Sequence, residues 1–276
     1  MPSANISDDI LEKHPWPAPL SAYLAQALDN AGIPYVFWGD LVFGWYGAPV
    51  CPAVCIFHFS RRVLALICLK LSAYVVSRDD VERAEVAINE AGMFPHYCDC
   101  RAFLHHTDPK NSMSIKNHWF LQRQRSYVTI LSNEDTFHSL IPITLVDPNP
   151  LHLEVLLVNQ AISSVKTKLD PAVTSHTLRF LSRLSLVKLQ LVLIVSQVKP
   201  RGILVPWFTT LGYVSRLERD VILKGLDEDL RSMYQGLLSG RYEGIQENFE
   251  IAKSSASFQV SSQLSNFFGV SKLIVK

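Results

Sequence analysis

The feature that most constrains the fold is the segment 18–47, in which glycines separate a helical pattern, a strand pattern and a second helical pattern. In residues 20–31 apolar side chains recur at helical spacing, and Gly32 is a typical helix stop. The apolar residues 34–38 indicate a short buried strand, and a glycine turn leads into an amphipathic segment over 41–46. This order predicts a fold that mixes helices and strands.

Two motifs suggest a family, and the first of them begins in this segment. The first is WGD at 38–40 followed by YGAP at 46–49, and the second is AYVVSRDD at 73–80, which leads into a helix that ends near Gly92. With these motifs the chain resembles the nucleotidyltransferase-fold proteins that are numerous in filamentous fungi. The resemblance implies an α/β (α+β) fold with a nucleotidyltransferase-like mixed sheet and flanking helices.

The chain departs from that family at the strand that should carry the metal-binding acids. Where the resemblance places this strand, residues 50–59 contain no Asp or Glu. Phosphoryl and nucleotidyl transfer need carboxylates that position Mg²⁺ between phosphate oxygens. Asp40 lies at a turn, and Asp79 and Asp80 lie beyond the next strand, so these acids do not form an alternating pair. We therefore expect no metal site and no cofactor. A less favoured alternative is an active transferase that uses Asp40 with Asp79 or Asp80.

The segment 54–70 has neither helical nor alternating periodicity, and it separates two parts that would be near neighbours in the family. One hypothesis is a retained intron in the gene sequence, because Val-Cys can be encoded by GTATGT, a common fungal donor sequence. The alternative is a genuine apolar insertion that forms an extra strand or helix. Neither interpretation restores the acid pair.

The remaining periodicity predicts one clear helix early in the chain and a helical C-terminal half. Residues 78–92 give the clearest helix, with Asp79 and Asp80 in its first turn, where the helix dipole favours acids. Strands are predicted over 118–121, 127–131 and 151–158. Helices are predicted over 174–198, 207–219 and 226–238.

These patterns divide the chain into four parts. An N-terminal arm (1–17) precedes a nucleotidyltransferase-like α/β domain (18–160), which contains the segment 54–70. A helical C-terminal lobe (161–248) and a weakly patterned tail (249–276) follow.

Composition limits the partners and the compartment. Lys plus Arg number 26 against 25 Asp plus Glu, so we expect neither a nucleic-acid partner nor an anionic membrane partner. The five cysteines do not follow a disulfide-framework spacing, which favours a reducing, cytoplasmic location. No secretory signal is visible, and the longest apolar runs are too short to span a bilayer. The oligomeric state stays open.

A cysteine- and histidine-containing segment follows the helix at 78–92. Cys98, Cys100, His105 and His106 have the atoms that zinc requires, but their spacing differs from the usual structural-zinc patterns. Alternation over 97–103 also suits a strand whose cysteines are small apolar residues, and this interpretation is favoured.

The candidate site residues come from the predicted strand ends. His105, His118 and Asp40 are the candidates for acid–base catalysis. The candidates for substrate binding are the aromatic residues concentrated around the same strands: Trp38, Phe43, Trp45, Tyr46, Phe120 and Tyr127. Aromatic residues also fill protein cores, so core packing is the alternative interpretation for this set.

Two classes of function fit these patterns. The first is a degenerate nucleotidyltransferase-fold protein that holds an apolar small molecule without metal. By fixing a reactive conformer, it would promote isomerisation or a pericyclic, Diels–Alder-type cyclisation in fungal natural-product biosynthesis. The second is a non-catalytic pseudo-nucleotidyltransferase that binds nucleotide or a protein partner.

Overall fold

The computed structural model of this chain describes residues 8–15, 17–46, 54–59, 62–67, 70–93, 117–121, 126–158, 178–197, 211, 214 and 218–238. These residues form helices and small sheets, so the mixed α+β class is confirmed. Within the described ranges, no helix is both long enough and apolar enough to cross a membrane.

The helices and strands are numbered here in chain order. They are α1 (Asp8–Lys13), α2 (Ala18–Asn30), β1 (Val36–Gly39), α3 (Asp40–Trp45), β2 (Val54–Phe59), β3 (Arg62–Ile67), β4 (Lys70–Val76), α4 (Val81–Glu90), β5 (Asn117–Leu121), β6 (Ser126–Ser132), α5 (Asn133–Phe137), β7 (Val155–Leu157), β8 (Arg179–Leu181), α6 (Arg183–Gln197), α7 (Arg219–Gly225) and α8 (Glu228–Leu238).

The centre of the fold is a four-stranded mixed sheet in the order β1-β4-β6-β5. β1 is antiparallel to β4, β4 is parallel to β6, and β5 is antiparallel to β6. A parallel pair needs a crossover connection, and the connection from β4 to β6 includes α4. The register places Trp38, Ala73, Thr129 and His118 in one row across the four strands.

The helices α2 and α4 end in the same way, at the two glycines that the sequence marks as stops. Gly32 has φ +66° and Gly92 has φ +92°, a left-handed conformation that glycine adopts without strain. After α2 the Ile33 N–H donates to the Leu28 carbonyl at 3.0 Å, and after α4 the Met93 N–H donates to the Ile88 carbonyl at 3.2 Å. These bonds define a Schellman-type end. Both predicted helix ends are confirmed.

The central strand β4 is tied to α2 through its buried polar side chains. The Tyr74 hydroxyl donates to the Ser21 carbonyl at 2.7 Å, and the Ser21 and Ser72 hydroxyls lie 3.5 Å apart. Ser72, Tyr74 and Ser21 are all buried. Burial of hydrogen-bonded polar groups is the normal state of a protein interior, so this contact is structural.

Residues 54–67 form the hairpin β2–β3, in which Phe59 pairs with Arg62. Among the described strands, β2 and β3 pair with each other and form a sheet separate from the four-stranded one. The structure therefore gives this segment the form of two strands, whichever origin it has in the gene.

The predicted long helix over 174–198 is wrong in its first part. Residues 179–181 form β8, which pairs with β7, and α6 begins only at Arg183. Ser182 sets this boundary, because its hydroxyl accepts a hydrogen bond from the Ser185 N–H at 3.3 Å, as an N-cap residue does.

The predicted strand over 151–158 is too long. Only Val155–Leu157 is a strand, because Asn149 holds the preceding chain in a turn. Its side chain accepts from the Leu153 N–H and donates to the Leu153 carbonyl, both at 2.7 Å. His152, inside the turn, has φ +50°.

The later helical predictions have mixed outcomes. The helix over 226–238 is confirmed as α8, which Asp227 caps by accepting from the Leu230 N–H at 3.0 Å. The segment 207–219 is described only at Leu211, Val214, Glu218 and Arg219, and α7 begins at Arg219. The tail 249–276 lies outside the described residues.

The N-terminal arm and the C-terminal elements both pack against the domain that contains the main sheet. Ile10 of α1 packs on the core so closely that a Cβ on Gly92 would lie 2.2 Å from its Cδ1. The boundary at 160 falls between the paired strands β7 and β8. The Tyr46 hydroxyl donates to the Leu181 carbonyl at 2.7 Å, which joins α3 to β8.

Candidate functional site

The predicted aromatic set divides into two groups, and the first lies on β1. Trp38 packs edge-on against Phe43 of α3, with ring centroids 5.5 Å apart, and against Phe137 of α5 at 4.9 Å. Trp38, Phe43 and Phe137 are buried. Tilted and edge-on contacts at these distances are typical of aromatic cores.

The second group lies at the end of α3. Trp45 and Tyr46 both pack against Phe180 of β8, with ring centroids 5.2 and 6.0 Å away. All three rings are buried. Burial favours core packing for the four described aromatic candidates, so an apolar ligand would contact them only after neighbouring groups moved.

Three further candidates are placed by backbone register. His118 lies opposite Thr129 in the pairing of β5 with β6, and Phe120 lies opposite Tyr127. His118 thus shares a cross-strand row with Trp38. Trp38 and His118 nevertheless lie on the two outermost strands of the four-stranded sheet, so the row does not bring them into contact.

Of the other two catalytic candidates, Asp40 lies away from that row and His105 is not among the described residues. Asp40 is the first residue of α3, directly after β1. His105 lies outside the described residues, and so do the remaining members of the zinc hypothesis, Cys98, Cys100 and His106. Among the residues that are described, no group of three or more His, Cys, Asp or Glu is arranged to hold a metal ion.

β4 is the strand that pairs with β1, and Lys70–Val76 contains no acid. Its described polar side chains, Ser72 and Tyr74, contact α2 and are buried. A Mg²⁺ site for phosphoryl transfer is held by carboxylates. β4 supplies none.

The acids after β4 have the structural role that the helical pattern predicts. Asp79 and Asp80 lie in a 3₁₀ turn that precedes α4. Asp80 accepts a hydrogen bond from the Ser77 hydroxyl at 2.9 Å and forms an ion pair with Arg83 of α4. These contacts stabilise the beginning of the helix.

Arg183 is a site that the sequence interpretation missed. It begins α6, and only 6% of its side chain is exposed. Its guanidinium carbon lies 5.1 Å from the centre of the Tyr46 ring, a cation–π distance. Nη1 lies 3.2 Å from a Glu218 carboxylate oxygen, yet among the residues that the structure describes Nε, Nη1 and Nη2 all lack a hydrogen-bond partner. The ion pair is therefore a charge contact without hydrogen-bond alignment.

The environment of Arg183 is unusual because buried charges are normally hydrogen-bonded. A guanidinium has five N–H donors, and here they lie in a poorly solvated position without acceptors. Arg183 is thus the described residue with the greatest unused capacity to bind an anion.

Tyr46 acts as the neutral wall of this site. Burial raises the pKa of its phenol far above the usual value; the Arg183 cation opposes that shift, and the carboxylates of Glu154 and Glu218 add to it. The hydroxyl hydrogen is donated to the Leu181 carbonyl. Tyr46 therefore positions Arg183 through its ring and is unsuited to proton transfer.

Arg179 repeats the arrangement in a more exposed form. Its guanidinium carbon lies 5.8 Å from the Tyr35 ring, and Nη2 lies 3.7 Å from an Asp29 carboxylate oxygen. The Arg179 side chain is 36% exposed, against 6% for Arg183. The two arginines connect β8 and the start of α6 to the main domain. Of the two, Arg183 is the one that is buried from solvent.

No protein-family model matches this chain, and comparisons with curated proteins and with solved structures give no match. The motifs at 38–49 and 73–80 are therefore the only support for the resemblance to nucleotidyltransferase-fold proteins. A fold alone does not determine a function, which depends on the chemistry of a site.

A sequence signal for Arg183 exists, but it is weak. Treating 174–198 as one helix places Arg183 in the middle of that helix, where a lone basic residue has no special meaning. The useful marker is Ser182, because a serine before an apolar periodic run is typical of a helix start.

An open groove of about 340 Å³ lies between α2 and α4. It is lined by small and polar residues: Tyr23, Gln26, Ala27, Asn30, Ala31, Ala87, Glu90 and Ala91. Ligand sites are usually enclosed and lined by apolar and aromatic side chains. The groove is therefore a weaker candidate than the surroundings of Arg183.

Proposed function

We propose that this protein is a degenerate nucleotidyltransferase-fold protein that binds an apolar small molecule without metal and promotes its isomerisation or pericyclic, Diels–Alder-type cyclisation. The observation that supports this most is the absence of acids from β4, together with the commitment of Ser72 and Tyr74 to α2. A strand used in this way is suited to packing rather than to holding Mg²⁺.

The chemistry proposed needs neither a strong acid nor a strong base. Holding a flexible substrate in a reactive conformer lowers the entropic part of a barrier. Trp45, Tyr46 and Phe180 give the rigid apolar surface that such positioning requires. Because these rings are buried, the substrate would enter by displacing part of their covering.

Thermal unfolding with a panel of neutral polycyclic and polyene compounds tests the proposal. A ligand that binds only the folded protein at a hundredfold excess over Kd stabilises it by about 2.7 kcal/mol. We expect at least one compound to raise the Tm, and Trp45→Leu to reduce that rise. Trp119→Leu is the matched control, because Trp119 is also buried but lies on β5, where it contacts Asn89 of α4. Absence of any response, or equal losses in both variants, would count against the proposal.

The alternative is a non-catalytic pseudo-nucleotidyltransferase that binds a protein partner, and one surface feature favours it. Leu145 and Val146 are fully exposed in a turn. Asp147 fixes this turn by accepting from the Ile143 and Thr144 N–H groups, both at 2.8 Å. These two neighbouring aliphatic side chains would form part of a larger apolar contact if a partner covered them.

A partner role predicts a different experimental pattern. Apolar compounds would leave the Tm unchanged. The double substitution Leu145→Ser with Val146→Ser would abolish the stoichiometric complex of this chain with its protein partner in analytical ultracentrifugation. The exposed Val221, on α7, gives a matched control as Val221→Ser.

A further inference from the structure

We propose that Arg183 anchors an oxyanion group, a carboxylate or a phosphate, on the small molecule that this protein binds. The inference rests on the proposed function for the apolar remainder of the ligand. The Arg183 guanidinium is buried, and in the described part of the chain Nε, Nη1 and Nη2 have no hydrogen-bond partner.

One edge of the Arg183 guanidinium is buried without an acceptor. The Tyr46 ring lies over the guanidinium at 5.1 Å, and Glu218 lies beside Nη1. Among the residues that the structure describes, none accepts a hydrogen bond from the edge formed by Nε and Nη2, and a ligand would reach this edge by displacing the groups that cover it. Two N–H groups on that edge match the two oxygens of a carboxylate or phosphate, which is the bidentate geometry that distinguishes Arg from Lys.

The position of Arg183 in α6 adds to the attraction for an anion. Arg183 is the first residue of this 15-residue helix. The N-terminal end of a helix carries a partial positive charge and free N–H groups. Ser182 caps the Ser185 N–H, so the helix begins directly at the guanidinium.

Glu218 is the counter-charge of Arg183 that an oxyanion on the Nε–Nη2 edge would replace. Its side chain is 32% exposed and makes no capping bond to α7, although it occupies the N-cap position. Among the described residues its carboxylate pairs with Arg183 only, so it can turn into solvent. Exchange of one anion for another leaves the charge of the site unchanged. Glu154 is the other acid near Tyr46, and it is solvent-exposed.

Calorimetric titration of the full chain with benzoate, neutral benzamide and inorganic phosphate tests this anchor. We expect benzoate and phosphate to bind and benzamide to fail. Glu218→Gln should bind both anions at least about tenfold more tightly, because the resident competitor is neutralised. Arg183→Lys should bind about tenfold or more weakly, since lysine lacks the fork. The matched control Arg179→Lys should bind as the wild type does.

Three outcomes would overturn the anchor. The first is anion binding that survives Arg183→Lys, and the second is an equal loss of anion affinity in Arg183→Lys and Arg179→Lys. The third is no anion binding by either the wild type or Glu218→Gln. If Arg183→Lys does not fold, Glu218→Gln decides: benzoate and phosphate must raise its Tm more than that of the wild type, and benzamide must not.

Failure of the anchor is distinguishable from failure of the proposed function. A neutral polycycle or polyene that binds while benzoate and phosphate do not would overturn the anchor and leave the function standing. Binding of phosphate through Arg183 without any gain from an apolar group on the anion would overturn the function and leave the anchor standing.

Discussion

At the scale of single residues, the buried polar groups of this protein mostly join one element to another. The Tyr74 hydroxyl bonds to α2, and the Tyr46 hydroxyl bonds to β8. Such groups stabilise the fold because breaking one bond leaves a buried carbonyl without a donor. Arg183 departs from this pattern, since within the described part of the chain its donors are buried without acceptors.

Tyr74→Phe tests the structural role of these hydroxyls. It removes the donor to the Ser21 carbonyl while keeping the ring, so we expect the free energy of unfolding to fall by about 1–2 kcal/mol. Tyr23→Phe is the control, because its bond to the Ala91 carbonyl is longer, at 3.1 Å, and only partly buried. Urea denaturation measures both, and an equal or larger loss in the control would contradict the interpretation.

Glu218→Gln should also destabilise the protein when no oxyanion is present. Removing the carboxylate leaves the Arg183 cation buried without a counter-charge. A fully buried pair would lose more, but Glu218 is partly exposed, so we expect a loss of about 1–3 kcal/mol. Urea denaturation in chloride buffer measures it, and an unchanged free energy of unfolding would show that the pair contributes nothing.

Asp147 gives a prediction about pH. Partial desolvation raises the pKa of its carboxyl, but hydrogen bonds from Thr144 and Ile143 outweigh that effect, and the pKa is lowered overall. A lowered pKa means that the folded state binds its proton less readily than the unfolded chain does. The contribution to stability is therefore present above the unfolded value, about 3.9, and is lost as the pH falls through the folded value.

The measurement is the difference in unfolding free energy between the wild type and Asp147→Asn from pH 7 down to pH 2. We expect the advantage of the wild type to shrink below about pH 4. A difference that stays constant over this range would contradict the assignment.

At the scale of elements, capping side chains define where the helices of the C-terminal half begin. Ser182→Ala removes the cap of α6 and should lower the free energy of unfolding by about 1 kcal/mol. Asp227→Ala removes the cap of α8 and should lower it by a similar amount. Lys224→Ala, at an exposed position of α7, is the control. If Ser182→Ala matches the control, Ser182 is not the boundary of the helix.

Elements with local signals were predictable from the sequence. The ends of α2 and α4 were predictable because Gly32 and Gly92 terminate a helix through their own backbone conformation. β8 was not, because Leu178 and Leu181 also fit helical spacing and only the pairing with β7 makes the segment a strand. The short β7 follows from the turn at Asn149, whose side-chain bonds depend on a specific rotamer.

The same distinction applies to the candidate site. The concentration of aromatic residues around β1 was visible, but its division between Trp38 and Tyr46 depends on Phe137 and Phe180, which come from distant elements. The environment of Arg183 depends on its burial and on its charge contact with Glu218, and hydrophobic periodicity indicates neither.

At the scale of the whole molecule, a mixed sheet carries helices on its edges and faces, and β8 and α6 attach beside β1 through Tyr46, Arg179 and Arg183. The strand that pairs with β1 contains no acid. A metal-independent role for this sheet is the central proposal.

The most direct test is calorimetric titration of the protein with ATP, in Mg²⁺ and again in EDTA, with Asp40→Asn in parallel. We expect no Mg²⁺-dependent binding: the two titrations agree, and Asp40→Asn behaves as the wild type does. Saturable binding that requires Mg²⁺ and is lost in Asp40→Asn would contradict the proposal and indicate a working nucleotide site.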